Sequence, residues 1–294
     1  MSSCNLSKWV LGYIKMLEAG VFMIDISNPN GPYGRADGIQ IPSAATCMLT
    51  LYRNNEQLST ASGFLTEDEN SWFLVTALHN FTGRDYFTKK CLSSKLATPN
   101  KFQATLMIKE EGGALKRFII RGDLFSDGMP LFLYDWTEDG GDIAVIKMPK
   151  EQGQPSLVTM NGVASQSWTV FAGLDAVALG YPSALDVNGT PIWKKISIAS
   201  EPSQKVNGNK ATLTDGLTYK GMSGGPVIIN QSQGYTDDKA YVIGKELLIR
   251  VIGVYGGRFY TDAEKSGTLG FYWPIATVNA IIADERQSGD IDCE

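Results

Sequence analysis

Three residues sit where an acyl bond could be cut between them: a serine framed by glycines, a lone histidine, and an acid at the head of a buried strand. The serine is Ser223, in Thr218-Tyr219-Lys220-Gly221-Met222-Ser223-Gly224-Gly225-Pro226, followed by the apolar run Val227-Ile228-Ile229. Glycines on both sides permit positive φ and let a substrate carbonyl come close to the backbone. Such a turn can aim the N–H groups of Gly221 and Ser223 at one oxygen, as an oxyanion hole requires. Taken alone, the run reads as a β-turn with an incidental serine. The partners change that. The chain has a single histidine, His79, at the exit of Trp72-Phe73-Leu74-Val75-Thr76-Ala77-Leu78, so any Ser-His chemistry must use it. Asp142, in Gly140-Gly141-Asp142-Ile143-Ala144-Val145-Ile146, leads straight into an apolar strand, an unusual place for a merely solvated charge. Asp135 and Asp139 are rival acids, but neither is followed directly by such a strand.

Chain order separates the possible serine hydrolases. Gly221-Met222-Ser223-Gly224-Gly225 also fits a G-x-S-x-G elbow, but there the histidine follows the serine. Here it precedes it. The order Asp-His-Ser would need an acid motif before His79, and none stands out. His79, Asp142, Ser223 is the order that remains. In that order, Thr76-Ala77-Leu78-His79, Asp142-Ile143-Ala144-Val145 and Gly221-Met222-Ser223-Gly224-Gly225-Pro226 resemble the signature segments of chymotrypsin-like (trypsin-fold) serine peptidases. Ser62-Gly63-Phe64-Leu65, Ala178-Leu179-Gly180-Tyr181-Pro182, Val251-Ile252-Gly253-Val254 and Gly270-Phe271-Tyr272 match further pieces, so the resemblance covers roughly residues 41–283. It is nearer to the bacterial stress proteases, glutamyl endopeptidases and viral proteases than to the digestive enzymes.

The resemblance implies an all-β chain of two six-stranded antiparallel β-barrels, with an N-terminal helical extension (1–40), a first barrel carrying His79 and Asp142 (41–150), and a second carrying Ser223 with a C-terminal helix (151–294). It implies a serine endopeptidase acting on protein or peptide substrates through an acyl-enzyme, with Gly221 and Ser223 as oxyanion donors. The primary specificity pocket would be lined by Leu217, Thr218, Tyr255, Gly256, Gly257, Arg258 and Gly270. Leu217 stands where an aspartate would select Lys or Arg. Gly257 and Gly270 would leave room for a large apolar side chain, and Arg258 at the mouth is compatible with an acidic one. Met222 replaces the aspartate that digestive relatives use in zymogen activation, which points to control by a partner, by the extra helix or by ordering of residues 215–222. Two other readings stand beside the protease: a partner-activated effector of a stress or antiviral defence system, and an inactive binding protein on the same fold.

Composition sets the frame. The chain has 294 residues, 43% hydrophobic and 19% charged, an ordinary globular balance with no disorder signature. A net charge of −5 argues against nucleic acid or an anionic membrane as partner. Thirty-one glycines and many short β-branched runs predict frequent turns between strands. Strands are expected at 45–53, 61–66, 71–77, 102–109, 115–121 and 142–148, then at 176–181, 192–199, 211–214, 226–230, 241–254 and 268–272. Helices are expected over 7–19 and from Pro274 to Ile282, where apolar residues recur at helical spacing. Cys4, Cys47, Cys91 and Cys293 are scattered and read as free thiols in a reducing, cytoplasmic setting. No metal-ligand cluster is evident, so no cofactor or metal is expected, and no segment reads as a signal peptide or membrane span.

Overall fold

The computed structural model describes residues 23–25, 39–93, 97–110, 114–137, 139–151, 154, 156–162, 166–185, 187–258, 269–289 and 291. The helix expected over 7–19 lies outside them. Every strand expected from the sequence forms. In the first half these are β1 (Thr46–Arg53), β2 (Glu56–Glu67), β3 (Ser71–Thr76), β4 (Lys101–Lys109), β5 (Leu115–Asp123), β6 (Leu133–Asp135) and β7 (Ala144–Pro149). Along the sheet they run β5-β4-β1-β2-β3-β7-β6. Met23–Asp25 pairs antiparallel to β5 at one edge, and Gln287–Ser288 pairs parallel to β6 at the other. The apolar run of β3 is buried at every position, as a short run without alternation should be.

The second half closes on itself. Strands β8 (Asp175–Gly180), β9 (Ile192–Ile198), β10 (Thr212–Asp215), β11 (Pro226–Tyr235), β12 (Tyr241–Arg258) and β13 (Leu269–Pro274) form a closed barrel in the order β8-β9-β10-β13-β12-β11. The β11–β12 hairpin is longer than its apolar residues suggest. Its polar stretch Asn230-Gln231-Ser232-Gln233 has little strand propensity of its own and is held by the ladder to residues 243–249. Before this barrel, Ser156–Leu157 still pairs with β4, and Asn161 still holds the end of β2 through Thr66 and Glu67.

The expected C-terminal helix forms over Ile275–Ala283 and buries Val278 and Ile281. These two residues join a core that runs through Leu49, Phe64, Leu74, Val75 and Phe81 of the first half and Val254, Phe271 and Trp273 of the second. The two halves therefore share one hydrophobic core along the cleft. Burial of an aromatic such as Trp273 removes some 150–250 Å² of surface from water, so this shared wall resists opening. Among the described residues, no helix is long and apolar enough to cross a membrane.

Candidate active site

His79 rides on a single helical turn, Leu78–Thr82, entered from Ala77 in extended conformation and ended by Gly83 in the left-handed region, φ 65°. The first N–H groups of a helix have no partner within it. That of His79 donates to Asp142 Oδ1 at 2.8 Å, while the other carboxylate oxygen, Oδ2, lies 2.5 Å from His79 Nδ1. One carboxylate thus fixes both the backbone and the ring of the histidine, leaving Nε2 turned away from Asp142. Asp142 is 2% exposed and the His79 side chain 18%. Burial works against a charge on the imidazole. The Asp142 charge and hydrogen bond, with Asp85 farther off, outweigh it and hold the His79 pKa above its ordinary value.

The two glycines before Asp142 explain its placement. A β-carbon on Gly140 would collide with the Asp135 carbonyl, and one on Gly141 would lie 2.8 Å from the Trp273 ring. Only a bare backbone can press against Trp273 here and still turn Asp142 inward. The rival acids are engaged elsewhere. Asp135 is buried, accepts from Thr137 and pairs with Arg286 at 3.0 Å. Asp139 faces Lys210 at 3.5 Å.

Ser223 sits in a loop held by both halves. Its carbonyl accepts from the Ser62 N–H at 3.0 Å and from Asn80 Nδ2 at 3.1 Å. Ser62 Oγ donates to the Gly221 carbonyl at 2.7 Å and accepts from the Tyr181 N–H at 2.9 Å. The Lys220 carbonyl accepts from the Ser183 N–H at 2.8 Å. With the carbonyls on either side so held, the N–H groups of Gly221 and Ser223 donate to no protein acceptor among the described residues. Gly221 has φ 98° and Gly224 φ 88°, so this turn needs its glycines. Met222 is fully buried in the core of the second barrel with Trp168, Val227 and Tyr255.

A cleft of about 860 Å³ brings these groups together. His79, Asp142 and Ser223 line it, along with Thr218, Tyr255, Gly256, Gly257 and Arg258 of the expected pocket residues. Leu217 is 51% exposed and outside that lining, and Gly270 is buried behind Tyr255. Arg258 turns its guanidinium onto the Thr218 carbonyl, from Nε at 3.0 Å and also from Nη2. Tyr86, Phe87, Asn207 and Asn209 also line the cleft and were not expected from the sequence. Tyr86 packs edge-on to Trp273 at 4.8 Å and Phe87 meets Phe271 at 5.5 Å, so the loop after His79 leans across to the second barrel. An adjacent aromatic pair in a polar loop was the only sequence signal for it.

An acid and a histidine on one antiparallel β-sheet face a serine on a closed six-stranded β-barrel across a cleft. The fold is the chymotrypsin-like one. The sequence matches no family model and no curated protein. Among solved structures, it is similar to a serine endoprotease from Yersinia pestis, at 14% identity over 82% of this chain and 62% of that one, with a TM-score of 0.44. It is also similar to the MamO protease domain from Magnetospirillum magneticum, at 15% identity over 82% of this chain and 96% of that one, TM-score 0.42. The HtrA-type protease AlgW, solved with a decapeptide, is similar at 14% identity over 84% of this chain and 66% of that one, TM-score 0.46. The chain thus spans less than two thirds of the Yersinia pestis structure's length.

Proposed function

We propose that this chain is a serine endopeptidase whose site is assembled in the free protein. The observation that carries the reading is the double grip of Asp142 on His79, in a cleft whose opposite wall presents Ser223 beside two backbone N–H groups that have no acceptor among the described residues. Ser223 Oγ attacks the scissile carbonyl as His79 takes its proton. Asp142 keeps Nδ1 as the protonated nitrogen, so Nε2 is free to act as base, and it stabilises the imidazolium that forms. The tetrahedral oxygen is received by the N–H groups of Gly221 and Ser223; loss of one such donor typically costs about 3–4 kcal/mol of barrier. His79 then returns the proton to the leaving amine, and water resolves the acyl-enzyme by the same steps in reverse.

An inactive binding protein would have no need to keep the carboxylate, imidazole, serine and both donors in place together. A partner-activated effector would need its nucleophile loop released at rest, whereas this loop is pinned at Lys220, Gly221 and Ser223. Cys47 and Cys91 are free thiols, which supports a reducing compartment for the protein. Cys4 and Cys293 lie outside the described residues. To test the activity, unfolded casein is incubated with the protein and the new amino termini are mapped by mass spectrometry. Cleavage by wild type and none by Ser223→Ala supports the reading. Equal cleavage by the two, or none by either, sinks it.

A further inference from the structure

The residues that the sequence leaves as an open pocket are filled from within. Tyr255 lies on β12 next to the register shift between Tyr255 and Gly257, where the strand bends around the nucleophile. Its ring belongs to the core of the second barrel, with Met222, Val227 and Tyr272. Its hydroxyl is hydrogen-bonded to Thr218 Oγ1, and both residues are only 1% exposed. The same hydroxyl occupies the space in front of Gly270. A β-carbon there would lie 2.5 Å from Tyr255 Oη, 2.9 Å from Thr214 Oγ1 and 3.1 Å from the Gly257 carbonyl. Gly270 is therefore a glycine because Tyr255 needs the room, and it opens no wall to a substrate. Arg258, which might have met an acidic side chain at the mouth, holds the Thr218 carbonyl instead and so keeps Thr218 against the tyrosine. Among the described residues, what stays open is the space by Gly257, where an added β-carbon would meet only Ser223 Oγ, at 3.5 Å.

We propose that the primary specificity pocket is a short one closed by Tyr255 and Thr218, and that the site cleaves after residues with small side chains, of the glycine, alanine or serine class. This rests on the serine-endopeptidase reading above. The closed end is made of paired hydroxyls, so a longer apolar side chain would have to displace a buried hydrogen bond as well as a ring packed in a core. A pocket of this kind discriminates by size, since each methylene that does not fit is worth about 10–200-fold in rate.

The test compares peptidyl aminoalkyl diphenyl phosphonates that differ only in carrying an alanine or a phenylalanine side chain next to phosphorus, beside a plain alkyl fluorophosphonate without one. The expected result is labelling of Ser223 by the plain reagent, with the alanine phosphonate reacting at least about tenfold faster than the phenylalanine one. Equal or faster reaction of the phenylalanine reagent overturns the short pocket while leaving the protease reading in place. Reaction of the plain reagent with neither phosphonate also overturns it. Failure of the plain reagent on folded protein removes the protease reading and this inference with it. Tyr255→Ala, and Tyr255→Val as a less disruptive variant, should raise the phenylalanine-to-alanine rate ratio at least about tenfold. An unchanged ratio in either folded variant refutes the assignment to Tyr255, and the wild-type ratio decides the pocket's size by itself.

Discussion

Ser62→Ala removes one hydroxyl, yet it should disturb the surroundings of Ser223, the proposed nucleophile, from the opposite side of the cleft. Ser62 Oγ donates to the Gly221 carbonyl at 2.7 Å and accepts from the Tyr181 N–H at 2.9 Å, and the residue is fully buried. Gly180 stands beside it because a β-carbon there would lie 2.7 Å from that hydroxyl. Alanine takes away the Ser62 hydroxyl that donates to the Gly221 carbonyl and accepts from the Tyr181 N–H, both in a buried setting. At about 1–3 kcal/mol for each hydrogen-bonded group that loses this partner, the folded protein should lose about 2–6 kcal/mol. The effect on rate is separable from this. Freed of its tether, the Gly221–Met222 peptide, which links the two peptides that carry the Gly221 and Ser223 N–H groups, can rotate and loosen both neighbours, so a donor is lost from the proposed oxyanion site for part of the time. Full loss of such a donor costs about 10²–10³ in kcat, so a fall of about tenfold to a hundredfold is expected. The assay is the pH profile of single-turnover acylation, read below the melting temperature of the variant. The rate plateau should fall while the midpoint set by His79 stays put, because the Ser62 hydroxyl is hydrogen-bonded to Gly221 and Tyr181 and not to His79 or Asp142. A variant that melts lower but acylates at the wild-type plateau would refute the coupling. So would a shifted midpoint.

Further outcomes follow from the same geometry. The Asp142 carboxylate favours the protonated imidazole, so the His79 pKa is raised and the general base becomes available only at higher pH. Acylation should therefore rise with a midpoint above 6.5, the ordinary histidine value, and a midpoint at or below that value would contradict the pairing. Linkage gives the same sign: stability from this pair is complete below the unfolded-state pKa and is lost as pH rises through the folded one. Asp142→Asn should lower that midpoint and reduce the rate by roughly 10⁴-fold, as loss of the orienting acid does elsewhere, and a loss under tenfold would remove Asp142 from the role. Gly224→Ala forces φ 88° on a residue with a side chain, at about 1–3 kcal/mol, and drives a methyl into the Ser62 carbonyl and Thr76 hydroxyl. It should unfold the loop and abolish acylation, and near-normal activity would show that the turn differs from that described. Burial pushes the Cys47 thiol pKa up, so native alkylation should modify Cys91 while Cys47 reacts only after denaturation; peptide mapping that finds Cys47 modified first would contradict its burial.

The parts of the site that were legible in the sequence are those a short run of residues specifies by itself. Glycines around Ser223, an apolar strand before His79 and another after Asp142 each report a local backbone requirement, and their order along the chain narrowed the chemistry. The strands were legible for the same reason, since period and apolar runs are local. What was hidden depends on side chains meeting across the fold. Gly270 read as an open wall because no local signal shows that the Tyr255 hydroxyl fills the space before it. Arg258 read as a group at the mouth because its turn onto the Thr218 carbonyl is a rotamer choice. Ser62 was visible only as part of a matching segment, and its hold on Gly221 appears only when both barrels are in place.

The central claim, a Ser-His-Asp nucleophile assembled in the free protein, is tested most directly by treating the purified chain with a fluorophosphonate. Ser223→Ala and His79→Ala serve as controls, and the adduct is located by peptide mass spectrometry. Labelling of Ser223 in wild type, with none in either control, is the predicted result. Folded wild-type protein that stays unlabelled, or is labelled equally in His79→Ala, would contradict it.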